Sequence, residues 1–487
     1  MVKLLKDILY KAGIEEVIGN THLAVETICF DSRLAEKMSA FVAIRGTQTD
    51  GHLFIDKAIA QGSKIIVCEE LPSELVEGVT YVKVKDSAKA LGLMASNYYD
   101  NPSEKLKLVG VTGTNGKTTV TTLLHRLYRS FGNKPGLIST VVNLIGTKEI
   151  PATHTTPDPV QLNRLLQQMV EEGCKYCFME VSSHAIHQRR IAGLKFAGGI
   201  FTNITHDHLD YHKTFDNYIA AKKQFFDELP ADAFSLVNVD DIHGEIMVQN
   251  TKSKVYHYAL RTGADFKAKI LENHFQGLNI ILDDREIWSK LIGKFNAYNL
   301  LATYATALLL REEKMEVLTM LSNLNPPAGR FQYIRSESGI IGIVDYAHTP
   351  DALKNVLSTI QEIRGGNERV ITVIGCGGDR DKSKRPEMAK IAADLSDRVM
   401  LTSDNPRSEE PEAIIRDMQA GIEITQQKKS LAITDRKEAI KAAASMADPG
   451  DIILVAGKGH ETYQEIKGER FDFDDMKILI EMLNLVS

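Results

Sequence analysis

The chain has 487 residues, 43% of them hydrophobic and 25% charged, with a formal net charge of −6. That length suggests about three domains, and an acidic balance without a basic stripe argues against a general nucleic-acid role. The five cysteines, Cys29, Cys68, Cys174, Cys177 and Cys376, are odd in number and unpatterned, as expected for a reduced, cytoplasmic protein. Cys174 and Cys177 form a lone CxxC, expected to pack rather than to bind metal.

Residues 1–19, MVKLLKDILYKAGIEEVIG, carry charges through their apolar positions and predict an amphipathic helix rather than a signal peptide. No later run approaches membrane-spanning length. Up to about residue 97 short strands alternate with helices, as in SAFVAIRG, SKIIVCEE and GVTYVKV. The polar stretch YYDNPSEK, residues 98–105, suits a linker. Next come LKLVGVTG, CFMEVSSH, GGIFTNIT and AFSLVNV, each an apolar run followed by helical text. This alternation predicts a buried parallel sheet with helices outside. A second polar junction, SNLNPPAGR at 322–330, precedes IIGIVDYAHTP, RVITVIGCGG, RVMLTSDNP and DIILVAGKGH. In each of these the chemistry-bearing residues follow the strand's carboxyl end, where open α/β sheets bind ligands.

GTNGKTT, residues 113–119, lies between a strand and a helix. Gly113, Thr114, Asn115 and Gly116 free backbone N–H groups to face phosphate at the positive helix end. Lys117 suits the outer phosphates of ATP, Thr118 suits Mg²⁺, and Thr119 completes the loop. The spacing departs from GxxxxGK[ST], because Val111 stands where the first glycine belongs. Glu180 ends one strand and His208 lies just beyond another, each a candidate Mg²⁺ ligand. By position alone Lys222 is an ordinary helical lysine and Arg330 a linker ion pair.

TSDNPRSEEP, residues 402–411, raises a different question. Ser408, Glu409, Glu410 and Pro411 read as the start of a helix, which leaves Arg407 unexplained. Proline fixes φ, so Pro406 holds Arg407 on a stiff turn, suited to gripping a flat anion.

GTNGKTT, EVSSH, NITHDHLDYH, AAK, GKFNAYN, VDYAHTP and AGKGHE occur in that order. Together they resemble the Mur ligases of peptidoglycan synthesis, over essentially the whole chain. The likeness is greatest to members that add the third residue of the peptide stem. It implies an α/β protein of three domains: a small UDP-substrate domain (1–97), a central ATP-binding domain with a mostly parallel sheet (98–328), and a Rossmann-like amino-acid-binding domain (329–487). It also implies an ADP-forming amide ligase acting through an acyl phosphate, with Mg²⁺ as cofactor, in a cytoplasmic monomer.

Residue by residue, the resemblance makes Lys117, Glu180, His208 and Lys222 catalytic, with Lys222 carrying a carbamate that helps hold metal. Asn296, Arg330 and Asp345 join the loop in binding ATP. Phe30, Ser32, Thr47, Gln48 and Thr49 match a uridine-binding stretch, although Phe30 replaces an aliphatic residue common there. Thr155, Thr156, Ser182, Gln188 and Arg190 match contacts to the sugar and peptide of UDP-MurNAc-L-Ala-D-Glu. His154 stands where an asparagine is frequent, and Arg189 beside Arg190 leaves that register ambiguous. Asp404, Asn405, Pro406 and Arg407 match the DNPR motif of members that add meso-diaminopimelate, joined by Arg380, Gly457 and Glu461. Lys382 and Lys384 are expected to be solvated. Lysine-adding and folylpolyglutamate-synthetase-like ligases are the alternatives; the first lacks a use for Arg407, the second for the N-terminal domain.

Overall fold

In the computed structural model residues 2–46, 49–151 and 155–485 are described, so Thr47, Gln48 and His154 lie outside the described residues. The first sheet holds β1 (Ile14–Ile18), β2 (Thr27–Cys29), β3 (Ser39–Val42), β4 (Ile65–Cys68) and β5 (Thr80–Val84), ordered β1-β5-β4-β3-β2. Only β1 runs antiparallel to its neighbour.

The predicted N-terminal helix is cut to one turn, Leu5–Ile8. Lys11 and Gly13 take positive φ and end it, and β-branched Ile14, Val17 and Ile18 pair with β5 instead. The 98–105 stretch is anchored, with Pro102 and Ser103 buried and the Ser103 hydroxyl accepting from Lys195 N–H.

The second sheet has eleven strands. In chain order they are β6 (Lys107–Thr112), β7 (Gly136–Ile138), β8 (Asn143–Ile145), β9 (Lys148–Ile150), β10 (Tyr176–Glu180), β11 (Gly198–Phe201), β12 (Phe234–Asn238), β13 (Lys254–Ala259), β14 (Phe266–His274), β15 (Gly277–Leu282) and β16 (Arg285–Ser289). They are ordered β9-β8-β7-β10-β6-β11-β12-β13-β14-β15-β16, parallel from β7 to β14 with antiparallel strands at both edges. Helices α1 (Lys117–Ser130), α2 (Phe215–Asp227) and α3 (Lys294–Leu309) pack over it. Apolar clusters cover both faces, which is why the central strands read as unbroken apolar runs.

The third sheet comprises β17 (Gln332–Arg335), β18 (Ile341–Asp345), β19 (Val370–Cys376), β20 (Arg398–Ser403), β21 (Ser430–Ala432) and β22 (Ile452–Ala456), ordered β17-β18-β22-β19-β20-β21. Helices α4 (Pro350–Ile363) and α5 (Lys384–Leu395) flank it. A hairpin of β23 (Tyr463–Ile466) and β24 (Glu469–Asp472) follows. Phe275, Ile292 and Phe295 join this sheet's apolar cluster, so the second and third layers share packing. The expected α/β fold therefore holds, with one large sheet in each of the three expected regions.

Candidate active site

A cavity of about 470 Å³ lies between the carboxyl ends of the second and third sheets. A second, of about 370 Å³, opens beyond the phosphate loop, and Asn115, Gly116, Arg330 and Asp345 line both. The loop joins β6 to α1. At Gly113, φ is +149° and a Cβ would stand 1.9 Å from the Thr202 hydroxyl, so only glycine fits. No side chain caps α1 at Gly116, which leaves its first amides for a ligand. The Lys117 ammonium donates to the carbonyls of Gly113 (2.9 Å) and Thr114 (2.8 Å). Burial lowers its pKa, opposed by Glu180 and Asp207.

Lys222 is not a solvated helical lysine. It is 1% exposed, its ammonium donates to Gly113 O at 2.8 Å, and it sits 4.6 Å from the Tyr218 ring one turn earlier on α2. Burial, reinforced by Lys117, lowers its pKa well below the usual lysine value. Glu180 is also buried and accepts from Thr140 N–H at 2.9 Å. His208 takes a left-handed backbone (φ 54°), and burial pushes its imidazole down to about 3. Asp207 is held low despite burial, because His208 and Lys384 outweigh that cost.

Lys384 corrects the expectation of a solvated residue. Its ammonium bonds Asp207 at 2.9 Å, joining α5 to the central sheet inside the cavity. Lys382 does stay exposed, 3.1 Å from Glu409. Arg330 likewise reaches across rather than closing a linker ion pair: it donates to the Thr118 hydroxyl at 3.1 Å and lies over the Tyr346 ring. Asp345 accepts from Phe331 N–H at 2.6 Å, and burial raises its carboxyl to about 6. Asn299 faces the second cavity, with Asn296 behind it.

At the far end of the long cavity Arg407 also has positive φ (51°). Its N–H donates to Glu465 O (3.0 Å) and its carbonyl accepts from Lys467 N–H (2.7 Å), which stitches the turn to the hairpin. Its guanidinium donates to Gly378 O at 2.7 Å. Asn405, Arg380, Asp404, Gly457 and Glu461 line the same space. Gly457 has φ +115°, and a Cβ there would meet Asp404 Oδ2 at 2.6 Å. Pro406 is buried and its carbonyl accepts from Glu409 N–H. The helix after it starts at Pro411 as read, but the acids do not cap it. Glu409 instead takes two bonds from buried Arg385, at 2.8 and 3.0 Å.

The Mur ligase middle domain family matches residues 111–307, the Mur ligase glutamate ligase domain 329–459, and the Mur ligase family catalytic domain 24–99. A UDP-N-acetylmuramoyl-L-alanyl-D-glutamate–2,6-diaminopimelate ligase of Cytophaga hutchinsonii is 60% identical over 481 residues, 99% of each chain. The enzyme so named from Clostridium perfringens is 41% identical, again over 99% of each. The chain belongs to the Mur ligase family. A solved structure bearing that same enzyme name superposes with TM-score 0.71 at 31% identity, covering 100% of this chain and 99% of that one. A folylpolyglutamate synthase from Thermotoga maritima, at TM-score 0.58 and 15% identity, shares the fold alone.

In this Mur ligase the sugar-side candidates divide. Thr155, Thr156, Ser182 and Arg190 line the long cavity. Gln188 stands behind, accepting from Arg190 at 2.7 Å. Arg189, by contrast, pairs with Glu228 (2.8 Å), lies 3.7 Å from Asp86 and does not line the cavity. Phe30 is exposed and Ser32 buried, both just after β2, and Thr49 is exposed in a turn. Neither cavity includes these three. Sequence reasoning gave no role to Asp207, Tyr218 or Tyr346, although Asp207 and Tyr346 stand inside NITHDHLDYH and VDYAHTP, and Tyr218 lies four residues from Lys222 on one helix face.

Cys174 and Cys177 are buried in an apolar cluster, with burial raising both thiol pKa values. Among the described residues no helix is long and apolar enough to cross a membrane.

Proposed function

We propose that this ligase couples ATP cleavage to amide formation between the D-Glu carboxylate of UDP-MurNAc-L-Ala-D-Glu and one amine of meso-diaminopimelate. The observation that carries this reading is the single cavity running from Lys117 and Lys222 to Arg407. Residues 1–97 hold the uridine end, 98–328 the phosphate chemistry and 329–487 the incoming amino acid, in a cytoplasmic monomer. ATP places its base and ribose in the second cavity and its phosphates on the loop.

The difficulty of the first step is electrostatic, since a carboxylate must approach a triphosphate. Lys117 exchanges its two loop carbonyls for phosphate oxygens, and the α1 amides add fixed positive charge in a buried site. Arg330 and Lys384 bring further cations from the third layer. The attacking carboxylate oxygen takes the outer phosphoryl group and ADP leaves. The amine then displaces phosphate from the acyl carbon, giving the amide.

The donor set fits Mg²⁺. Thr118, Glu180 and His208 all line the long cavity, the Glu180 oxygens keep lone pairs beyond those Thr140 uses, and the hydroxyl and carboxylate oxygens are the hard donors this ion prefers. Bound by these residues and by a carbamate on Lys222, Mg²⁺ would neutralise phosphate charge during the carboxylate's approach. Lys222 is suited to that modification: burial lowers its pKa and so favours the neutral amine that attacks CO₂, and the product supplies an acidic oxygen ligand. Lysine lacks the distal carboxylate, so it would leave Arg407 short of a partner.

The test is ATP-dependent phosphate release with UDP-MurNAc-L-Ala-D-Glu, comparing meso-diaminopimelate with L-lysine at matched concentrations. Turnover with diaminopimelate alone is expected. Turnover with lysine would keep the ligase and remove the role given to Arg407.

A further inference from the structure

Lys458 is 0% exposed and lines neither cavity. It lies immediately behind the wall at the Arg407 end. Its ammonium donates to Asn405 Oδ1 at 3.0 Å and to Glu461 Oε2 at 2.9 Å. Asn405 Nδ2 donates to the same Glu461 oxygen at 2.8 Å, while Asn405 Oδ1 also accepts from Glu465 N–H at 2.9 Å.

These bonds fix how Asn405 and Glu461 present themselves, with Lys458 and the Glu465 N–H sharing the Asn405 oxygen. An ammonium has three donors and no acceptor, so the Asn405 side chain must turn its oxygen toward Lys458 and its NH₂ toward Glu461. Glu461, a residue of the cavity wall, then has Oε2 tied by two donors and keeps Oε1 for another partner.

We propose that Lys458 is a positioning residue that sets the configuration accepted at the distal carbon of the incoming diamino acid. This inference rests on the proposed function. That carbon bears an ammonium, a carboxylate and the chain leading to the reacting amine. Arg407 takes the carboxylate and the Glu461 oxygen takes the ammonium, while the chain direction is set by the acyl centre. Three fixed points distinguish one configuration from its mirror image, but only while the Glu461 oxygen is held. Without Lys458, the Glu465 N–H still orients Asn405, but Glu461 Oε2 loses one of its two donors and can rotate about the other, so the third point loosens.

The experiment measures phosphate release with meso-diaminopimelate and with the LL isomer. It uses the full-length protein and its Lys458→Met, Lys458→Arg, Glu461→Gln and Lys458→Met/Glu461→Gln variants. For Lys458→Met the expectation is a KM for the meso isomer raised about tenfold or more, with kcat within about threefold. The preference for meso over LL should shrink, and KM for ATP and for the UDP-substrate should stay put. Lys458→Arg should restore part of the loss. Because the lysine acts through Glu461, the double variant should lose little more than Glu461→Gln alone.

An unchanged KM, or a loss spread evenly over all three substrates, would overturn the proposal. If Lys458→Met does not fold, Lys458→Gln decides. It keeps a donor without the charge, so a rise in KM confined to diaminopimelate is expected and its absence counts against the idea. A wild-type protein that releases no phosphate with diaminopimelate overturns the proposed function, and this inference with it.

Discussion

At one end of the long cavity a single strand–loop–helix unit, residues 107–130, supplies backbone amides, a lysine and a hydroxyl. At the other, four segments meet: the ends of β19, β20 and β22, and the hairpin β23–β24. The first end is built largely of backbone, with Lys117 bonded to two carbonyls of its own loop. The second is built of side chains that are already bonded: Asn405 to Glu461, Arg385 to Glu409, and Arg407 to the Gly378 carbonyl. Phosphate is common to every ATP-dependent reaction and needs only a generic cradle. Choosing one amino acid needs groups whose positions are overdetermined.

Loss of Lys222 should be the most damaging change, because it lies between the two ends of this comparison and serves the step common to all acceptors. Lys222→Ala should lower kcat on the order of 10²–10³-fold with any amino acid. Short carboxylic acids should restore part of the rate if a carbamate normally stands there. Rates that stay low with acetate or propionate would argue against the carbamate while leaving the ligase intact.

Arg407→Lys strikes the selective end alone. It keeps a charge but loses the planar fork. A fall of about 10²-fold in kcat/KM for meso-diaminopimelate is expected, with KM for ATP unchanged, in line with the loss of a two-point charge-assisted pair. Equal losses for diaminopimelate and lysine would show that Arg407 shapes the loop and does not read the substrate.

How much of this was legible follows the same division. GTNGKTT is contiguous, so its role could be read from seven letters and the strand before them. Lys222 could not: its burial depends on Tyr218 and on a carbonyl 109 positions away. Lys384 misled for the same reason, since its partner Asp207 is 177 positions away. The N-terminal 19 residues failed differently. Their apolar spacing fits a helix, but pairing with β5 outweighs that local preference.

Asp345 offers a smaller effect at the hinge between the layers. Its native carboxyl is raised to about 6 by burial, with Arg330 opposing. A native pKa above the unfolded one means that the folded state holds the proton longer. Stability therefore falls as pH rises from about 4 to about 6 and stays reduced above that. The full shift amounts to order 3 kcal/mol. Asp345→Asn keeps an acceptor for Phe331 N–H, so it should melt higher than the wild type near about pH 7.5 and no higher near about pH 3.5. Nucleotide affinity should fall in the same variant. A melting temperature that is lower at neutral pH would mean that the Arg330 charge pair outweighs desolvation.

The smallest expected effect tests whether the phosphate end too has a positioning layer. Asn296 is buried, donates to Ile292 O at 2.8 Å and accepts from Asn299 Nδ2 at 3.0 Å. Asn299 then sets its oxygen against the phosphate loop, where a Cβ on Gly116 would stand 2.7 Å from it. Removing Asn296 leaves the Asn299 amide free to turn, at the cost of about one hydrogen bond, or roughly 1 kcal/mol. Asn296→Ala should raise KM for ATP about fivefold, with kcat and KM for the amino acid unchanged. A larger effect on the amino acid than on ATP would break the division drawn between the two ends, because it would couple the nucleotide wall directly to the selective one.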